Sequence, residues 1–404
     1  MKHKLFIFSC MLSIIIEYCL VFIFLNKLLK LNFIISLIIT LVILALLTVI
    51  MFFSSKAIVQ GDTDVNEKPC EKELMEIINK TNKLYNKQFE LHYTSVPILN
   101  PAFCLKNCVY INLSEKIIKN KDNPTYSLMI DEIFLSGVVA HELGHAISGL
   151  TKYSFLATVK PLYVLSSYLL IMIHALIGKK NIVARIFNYL FVGLYTLITL
   201  PYQILVFPFI RNEEITANSI AASLGYGNDL RSYYKLTCIL DGNENRLLRF
   251  VDFLHPSPAL MVNKLNKDLK ISNKKVDYFT AKNHLIYVET DTLTLKIPNN
   301  VEVLLNKSIN GDHLLKLTGD NVKVVYPLAF SNCINVEKII LPNVEEFSVS
   351  CLSKLKNLKE IKINNINILR QIYNRYPDRE FSKSIKKILD QNIITSEDKD
   401  SKTL

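Results

Sequence analysis

Four long apolar runs interrupt the polar segments in the first half of the chain. Residues 5–25 and 33–53 each hold about the 20 apolar residues that a helix needs to cross a hydrocarbon core about 30 Å thick. Residues 161–178 and 186–209 repeat the pattern and are joined by the basic segment KKNIVAR. The pattern predicts four transmembrane helices in two hairpins, and therefore a multi-pass integral membrane protein with the lipid bilayer as a partner.

Between these runs, apolar residues recur at the short intervals that are typical of the helices and strands of a soluble domain. Apolar residues recur every three or four positions within 71–88, which is typical of an amphipathic helix. Alternation of apolar and polar residues predicts strands at 89–96 and 108–114. The apolar stripe of the helix consists of Leu74, Ile77, Ile78, Thr81, Leu84 and Tyr85.

A repeat dominates the chain beyond about residue 280. Equivalent apolar residues lie 22 positions apart, and so do equivalent asparagines. A fixed interval predicts stacked units, each of which buries its apolar face against its neighbours. The units resemble the BspA-type leucine-rich repeat, a β-solenoid that is either a stabilising cap or a docking surface for a protein partner. The two sets are Leu295, Leu317, Ile339 and Ile361, and Asn299, Asn321, Asn343 and Asn365.

The C-terminal segment from residue 371 is strongly charged and ends SEDKDSKTL. Such a composition buries little apolar area, so we expect a frayed helix followed by a disordered tail.

Composition agrees with a membrane protein that keeps its thiols reduced. Hydrophobic residues make up 50% of the chain, and the eight cysteines lack the dense spacing of a secreted disulfide scaffold. The net charge of +11 comes largely from dispersed lysines, which is typical of solvated surface or of contact with anionic lipid heads. Because no nucleic-acid motif accompanies this charge, we expect no nucleic-acid partner.

The string HELGH carries the candidate chemistry. Positions i and i+4 of a helix lie on one face, so His141 and His145 can direct imidazole nitrogens at one metal ion. Glu142 beside them can reach a water molecule at the metal and act as a general base. A catalytic zinc takes three protein ligands and keeps one position open. The segment RNEE offers Glu213 and Glu214 as candidates for the third ligand.

Small residues predict close packing around this site. Gly144 lets another element approach the motif helix, and Ala217, Ile220 and Ala221 give the segment with the third ligand a small-residue face.

Four separated segments resemble, in order, the membrane zinc metalloproteases that include the heat-shock protease HtpX and the CaaX prenyl endopeptidases. They are LNPAFCLKNCVYINLSEKI, DEIFLSGVVAHELGH, RNEEITANSIAASLG and LHPSPALMVNKL. The order of the membrane hairpins fits the same family. The resemblance implies a zincin-like α+β domain of the gluzincin type, with the catalytic domain in the cytoplasm.

The resemblance also assigns roles to residues. It implies one zinc ion (Zn²⁺) bound by His141, His145 and Glu214, with Glu142 as the general base that activates zinc-bound water. It further implies that His255 stabilises the oxyanion and that Asn100 contacts the substrate backbone. The expected substrate is a peptide segment of a membrane or membrane-associated protein, lying along the edge strand near CVYINL by strand addition.

Three residues depart from the family pattern. Asn218 stands where the family usually has Asp, so an uncharged amide replaces a carboxylate beside the ligands. Met261 occupies the usual Arg position, and Pro101 interrupts the Asn-Ala-Phe string. The three ligands and the base are intact.

Three other functions compete with a surface metalloprotease. An antirepressor-type signalling metalloprotease would need a sensor domain, and no penicillin-binding motif such as Ser-x-x-Lys with Lys-Thr-Gly is apparent. A site-2-type intramembrane protease would take its third ligand from an Asp such as Asp241 in CILDGNEN, but the Asn and Pro that usually precede that Asp are missing. A catalytically inactive membrane adaptor would bind partners through the repeats, and the intact ligands and base argue against it.

The predicted fold is therefore an α+β membrane protein with four transmembrane helices, a zincin-like metallopeptidase domain and a repeat domain. In chain order, the segments are a first transmembrane hairpin (1–54), the first catalytic part with the zinc helix (55–155), a second hairpin (156–210), the second catalytic part (211–275), the leucine-rich repeats (276–370) and a charged tail (371–404).

Overall fold

We describe the chain from a computed structural model, over residues 2–28, 30–60, 68, 70–94, 102–105, 107–112, 132–149, 204–240, 256–271 and 276–400. The chain divides into two compact units. The first takes in 1–117, 138–224 and 241–261, and the second takes in 118–137, 225–240 and 262–404. Residues 225–240 thus belong to the same unit as the repeats.

Two apolar helices begin the chain. Helix α1 spans Lys2–Ile23 and continues as a π-helix over Phe24–Leu28, and helix α2 spans Phe33–Gln60. Among the described residues, the stretch Lys4–Lys27 is long and apolar enough to cross a membrane, and Phe33–Ile43 is a shorter apolar stretch. Large side chains on both helices are exposed, including Phe8 and Ile34.

The second predicted hairpin lies almost entirely outside the described residues, which include only 204–209 of its two runs. The four-helix membrane topology therefore stays a prediction.

An amphipathic helix and a three-stranded sheet follow in the first unit. Helix α3 spans Glu71–Tyr85 and buries Leu74, Ile77, Ile78 and Thr81, as its periodicity predicts. Leu84 and Tyr85, in its last turn, are exposed instead. Strands β1, β2 and β3 span Glu90–Thr94, Ala102–Leu105 and Cys108–Asn112.

The order of this sheet corrects one expectation about its edge. The order is β1-β3-β2, with β3 parallel to β1 and antiparallel to β2. The segment CVYIN is therefore the central strand, because both neighbours take up its backbone hydrogen bonds. Strands β1 and β2 are the two edges of the sheet.

Two helices cross within the first unit, with small residues at the contact. Helix α4 spans Glu132–Ser148 and helix α5 spans Phe207–Ser223. A Cβ atom added at Gly144 would lie 2.5 Å from the carbonyl oxygen of Ala217, so only glycine allows this approach. Ala217 and Ala221 are fully buried, which confirms the predicted close packing.

In the second unit, a helix packs on a hairpin of two strands. Helix α6 spans Gly227–Leu240, helix α7 spans Pro258–Asp268, and strands β4 and β5 span Val276–Ala281 and His284–Thr290. Arg231 on α6 is buried, donates to Asp277 and to the carbonyl oxygen of Tyr278, and covers the ring of Phe279. A charge is tolerated there because its donors are satisfied.

The repeat stack consists of short parallel strands. Strands β6, β9, β11 and β13 span Thr294–Lys296, Lys316–Thr318, Lys338–Ile340 and Glu360–Lys362 and form one parallel sheet. A second sheet continues from β5 through β7 (Val303–Leu304), β10 (Val324–Val325) and β12 (Glu346–Phe347), and β8 (Ile309–Asn310) also pairs with β5.

The predicted repeat interval determines the strand register. Leu295, Leu317, Ile339 and Ile361 are successive register partners in the first sheet, and all four are buried. Two of the repeated asparagines bond to the preceding unit: Asn321 donates to the carbonyl oxygen of Asn299, and Asn343 donates to that of Asp320, each at 2.7 Å. These contacts confirm a stack of units. Its identity as a leucine-rich repeat stays a prediction.

The expectation of a frayed, disordered tail from residue 371 is wrong for the described residues. After a 3-10 helix at Val349–Leu352, helices α8 and α9 span Ile366–Arg375 and Glu380–Asp400. Asn365 caps α8 by accepting from two backbone N–H groups. Apolar residues hidden among the charges form a buried stripe that joins the repeat core: Ile368, Leu369, Ile372, Phe381, Ile385 and Leu389.

The stripe makes the terminal helices part of the repeat core. Because the side chain of Ile372 is 0% exposed, we expect Ile372→Ala to cost about 2–5 kcal/mol through lost burial and a residual cavity. Hydrogen exchange of the full chain should show lost protection in α8 and β13. Asn374→Ala, at an exposed position of the same helix, is the matched control. Equal protection in both variants would contradict packing of α8 on the stack.

The crossing of α4 and α5 can be tested at its glycine. Gly→Ala inside a helix normally stabilises by about 0.5–1 kcal/mol. We expect Gly144→Ala to reverse that sign and to cost about 1–3 kcal/mol, because the new methyl group overlaps backbone atoms of Ala217. Thermal unfolding measures the change. Gly137→Ala on the same helix, whose Cβ would meet its nearest atoms at 3.1 Å, should cost less; a stabilised Gly144→Ala protein would refute the close approach.

Candidate metal centre

Helix α4 presents two imidazoles toward one point. His141 and His145 lie one turn apart, and their Nε2 atoms are 3.1 Å apart. The opposite face of the helix is anchored in the core, since Val139, Ala140 and Leu143 are fully buried. A helix fixed in this way holds both rings in place without help from a loop.

Helix α5 brings a carboxylate to the same point. The Oε2 atom of Glu214 lies 3.3 Å from Nε2 of His141, and its Oε1 atom lies 3.5 Å from Nε2 of His145. Zinc bonds of 2.0–2.2 Å to nitrogen and oxygen at tetrahedral angles place ligand atoms about 3.4 Å apart. Two imidazoles and one carboxylate at these separations fit a tetrahedral ion with its fourth position open, so these residues can form a metal site.

The two adjacent glutamates of RNEE differ in what they contact. Glu213 turns toward the other nitrogen of His145, with Oε1 3.7 Å from Nδ1, and its carboxylate accepts a hydrogen bond from the hydroxyl of Ser148. Glu213 therefore orients a ligand instead of joining the metal set. Ser148 was not identified from the sequence, although its position three residues after His145 places it on the same face of the helix.

Two of the three departures from the family pattern lie together behind His141. The Nδ1 atom of His141 is 2.8 Å from Oδ1 of Asn218, and the amide nitrogen of Asn218 donates to the sulfur of Met261 at 3.1 Å. Both Asn218 and Met261 are 1% exposed. Because an amide oxygen only accepts, Nδ1 of His141 is the donor in this contact, which directs Nε2 toward the metal position.

Burial and the neighbouring carboxylates and imidazoles of this site shift the pKa values of Glu142 and His145. Burial alone lowers the pKa of His145, but hydrogen bonds to Glu213 and Glu214 outweigh it and raise the pKa to about 10. Burial raises the pKa of Glu142, while His145, His141 and a hydrogen bond from the backbone N–H of Cys104 oppose that rise. The last contact places strand β2 beside Glu142.

Asn100 and His255 lie outside the described residues, so their roles as substrate contact and oxyanion donor stay predictions.

Comparison with known proteins agrees with this geometry. The family model described as peptidase family M48 matches residues 66–268, half of the 404-residue chain. The matched segment contains α3, the three-stranded sheet, both metal-site helices and α7. No curated protein matches the chain. The chain therefore belongs to peptidase family M48, a family of metallopeptidases.

Proposed function

We propose that this protein is an HtpX-like, membrane-bound zinc endopeptidase that hydrolyses peptide bonds of membrane or membrane-associated proteins. One observation carries the proposal: His141, His145 and Glu214 converge from two helices far apart in sequence, with Glu142 beside them. The apolar stretch Lys4–Lys27 supports attachment to the bilayer. Four membrane spans and a cytoplasmic catalytic domain are part of the proposal.

The chemistry divides between the ion and the chain. When bound, zinc polarises a carbonyl oxygen and lowers the pKa of water. His141, His145 and Glu214 would hold the ion and would leave one position for substrate and water. Glu142 accepts the proton of the attacking water and returns it to the leaving amine. Burial, by raising the pKa of Glu142, makes this carboxylate a stronger base than an exposed glutamate.

The edge strand β2 supports a binding mode for substrate. Because the backbone N–H of Cys104 bonds to Glu142, a peptide that adds to the edge at β2 runs past the base. Strand addition supplies main-chain hydrogen bonds without regard to side-chain identity. We propose that extended segments of membrane proteins bind here, with Asn100 as a backbone contact and His255 as the oxyanion donor.

The position of Glu214 favours this function over a site-2-type intramembrane protease. In that class an Asp such as Asp241 would complete the ligand set, and Asp241 lies outside the described residues. The carboxylate oxygens of Glu214 already lie 3.3 Å and 3.5 Å from the Nε2 atoms of His141 and His145, close enough to share a metal ion with them. In this proposal the repeat stack is either a stabilising cap or a docking surface for a protein partner.

Replacement of the proposed base separates catalysis from metal binding. We expect Glu142→Gln to retain one equivalent of zinc at the catalytic site and to lower the rate of casein or membrane-protein cleavage about 10²- to 10⁴-fold, because the amide cannot accept the proton. Metal content and cleavage are measured on the same purified sample. Glu76→Gln, at an exposed position of α3, is the control. Equal cleavage by the Glu142→Gln and unmodified proteins would refute the enzymatic role.

The amide behind His141 should contribute to metal affinity. Removal of a group that orients a metal-binding imidazole typically costs about 10- to 100-fold in affinity. We expect a loss of that size in Asn218→Leu, measured by competition with a chelator. The double variant Asn218→Asp, Met261→Arg keeps an acceptor oxygen for the Nδ1 proton of His141 and places a cation behind the new carboxylate, so it should retain affinity. An unchanged affinity in Asn218→Leu would show that the protein core alone orients the ring.

A further inference from the structure

A second group of metal-binding side chains lies on the three-stranded sheet, apart from the catalytic residues. Strands β1 and β3 are parallel, with Glu90 in register with Cys108 and His92 in register with Tyr110. Alternate residues of a strand point to the same face, so Glu90, His92 and Cys108 share one face of the sheet. They bring together a carboxylate, an imidazole and a thiol.

The ligand atoms of these side chains are close enough to share an ion. Nε2 of His92 is 3.3 Å from Oε2 of Glu90, and Sγ of Cys108 is 3.9 Å from that same oxygen. All three ligand atoms lie within 4.8 Å of one another. Tetrahedral zinc with its usual bond lengths requires separations of about 3.4 Å between nitrogen and oxygen and about 3.6 Å between sulfur and oxygen.

The separation between Sγ of Cys108 and Oε2 of Glu90, 3.9 Å against about 3.6 Å, can be closed by a shift of the carboxylate. The side chain of Glu90 is 69% exposed, so its carboxylate can shift by a few tenths of an ångström without disturbing the core. The ring of His92 is held in place, because it stacks on Tyr110 at 5.2 Å, and Tyr110 stacks on Phe103 at 4.9 Å. A ring held by stacking loses little freedom when it binds an ion.

The donor set indicates which ion fits. Calcium and magnesium take oxygen ligands almost exclusively, whereas zinc and similar divalent ions accept sulfur, nitrogen and oxygen together. As a simple ion pair, an exposed glutamate and a histidine would add little stability. The presence of a thiol within reach of both distinguishes this group from ordinary surface pairs.

The group shares no ligand with the catalytic site. Cys104 of β2 is in register with Val109, so both lie on the face opposite to Cys108. Burial, as the largest cause, and then the nearby carboxylate of Glu142 raise the pKa of the Cys104 thiol. The face of the sheet that carries Cys104 is therefore the one toward the base.

We infer that Glu90, His92 and Cys108 form a second metal site, which takes a divalent ion of the zinc class and ties strand β1 to strand β3. Three ligands leave one position to water, so this ion exchanges more readily than one held by four side chains. Its binding stiffens the sheet whose edge strand β2 lies beside Glu142. The site exists whether or not the proposed protease activity is correct.

Cobalt(II) tests the site on the full chain in detergent, because a thiolate bound to cobalt produces a charge-transfer absorption band in the near ultraviolet. The set of His141, His145 and Glu214 contains no thiolate, so that band reports the second site alone. We expect the full chain to bind two equivalents of cobalt, one at each site, and the band to saturate with the one equivalent that binds at the second site. The band should disappear when zinc displaces cobalt.

Variants assign the band to these residues. Cys108→Ser should abolish it, whereas Cys238→Ser, at a partly exposed cysteine of α6, should retain it. Glu90→Gln alters a side chain that is 69% exposed, and it should weaken cobalt binding at this site at least 10-fold. Absence of the band in the unmodified protein, persistence of the band in Cys108→Ser, or unchanged affinity in Glu90→Gln would each overturn the inference. Loss of protease activity bears only on the catalytic proposal.

Discussion

The catalytic geometry depends on how closely two helices approach one another. Helix α4 carries both imidazoles and helix α5 carries the carboxylate, so the distance between the helices determines whether one ion can contact all three. Gly144 allows that distance because it places no side chain against the backbone of Ala217. The glycine lies between the two histidines, at the point where a bulkier residue would push Glu214 away. A packing constraint therefore determines the chemistry of the site.

Charge around the site explains why two residues depart from the family pattern together. Three carboxylates, those of Glu142, Glu213 and Glu214, already surround the two imidazoles. A fourth at position 218 would need a cation behind it, and the usual arginine at 261 would provide one. Here an amide and a thioether replace both charges and still meet at 3.1 Å. The two changes are consistent with each other, because a buried carboxylate against a thioether would be costly.

Much of this arrangement can be predicted from the sequence, because two of its patterns are periodic. The spacing of His141 and His145 determines their common face, and the 22-residue interval determines a register in which Leu317 faces Ile339. The choice between Glu213 and Glu214 could not be made from spacing, since neighbouring helical residues point in directions about 100° apart and only a tertiary contact distinguishes them. The order of three short strands is likewise a tertiary property.

The buried terminal helices were missed for a different reason. Composition averages over a segment, and the charged residues of 371–400 conceal Phe381, Ile385 and Leu389 at intervals of four. Periodicity within that segment would have predicted an amphipathic helix. A low average hydrophobicity therefore excludes a core helix only where the apolar residues also lack a helical period.

The position of α9 on the last strand has a consequence for self-association. Parallel strands that end at β13 leave backbone groups able to pair with a strand of another molecule, as in cross-β stacking. Helix α9 packs against β13 and so occupies the end of the ladder. The helix therefore keeps the repeat stacks of neighbouring molecules from joining end to end into fibres.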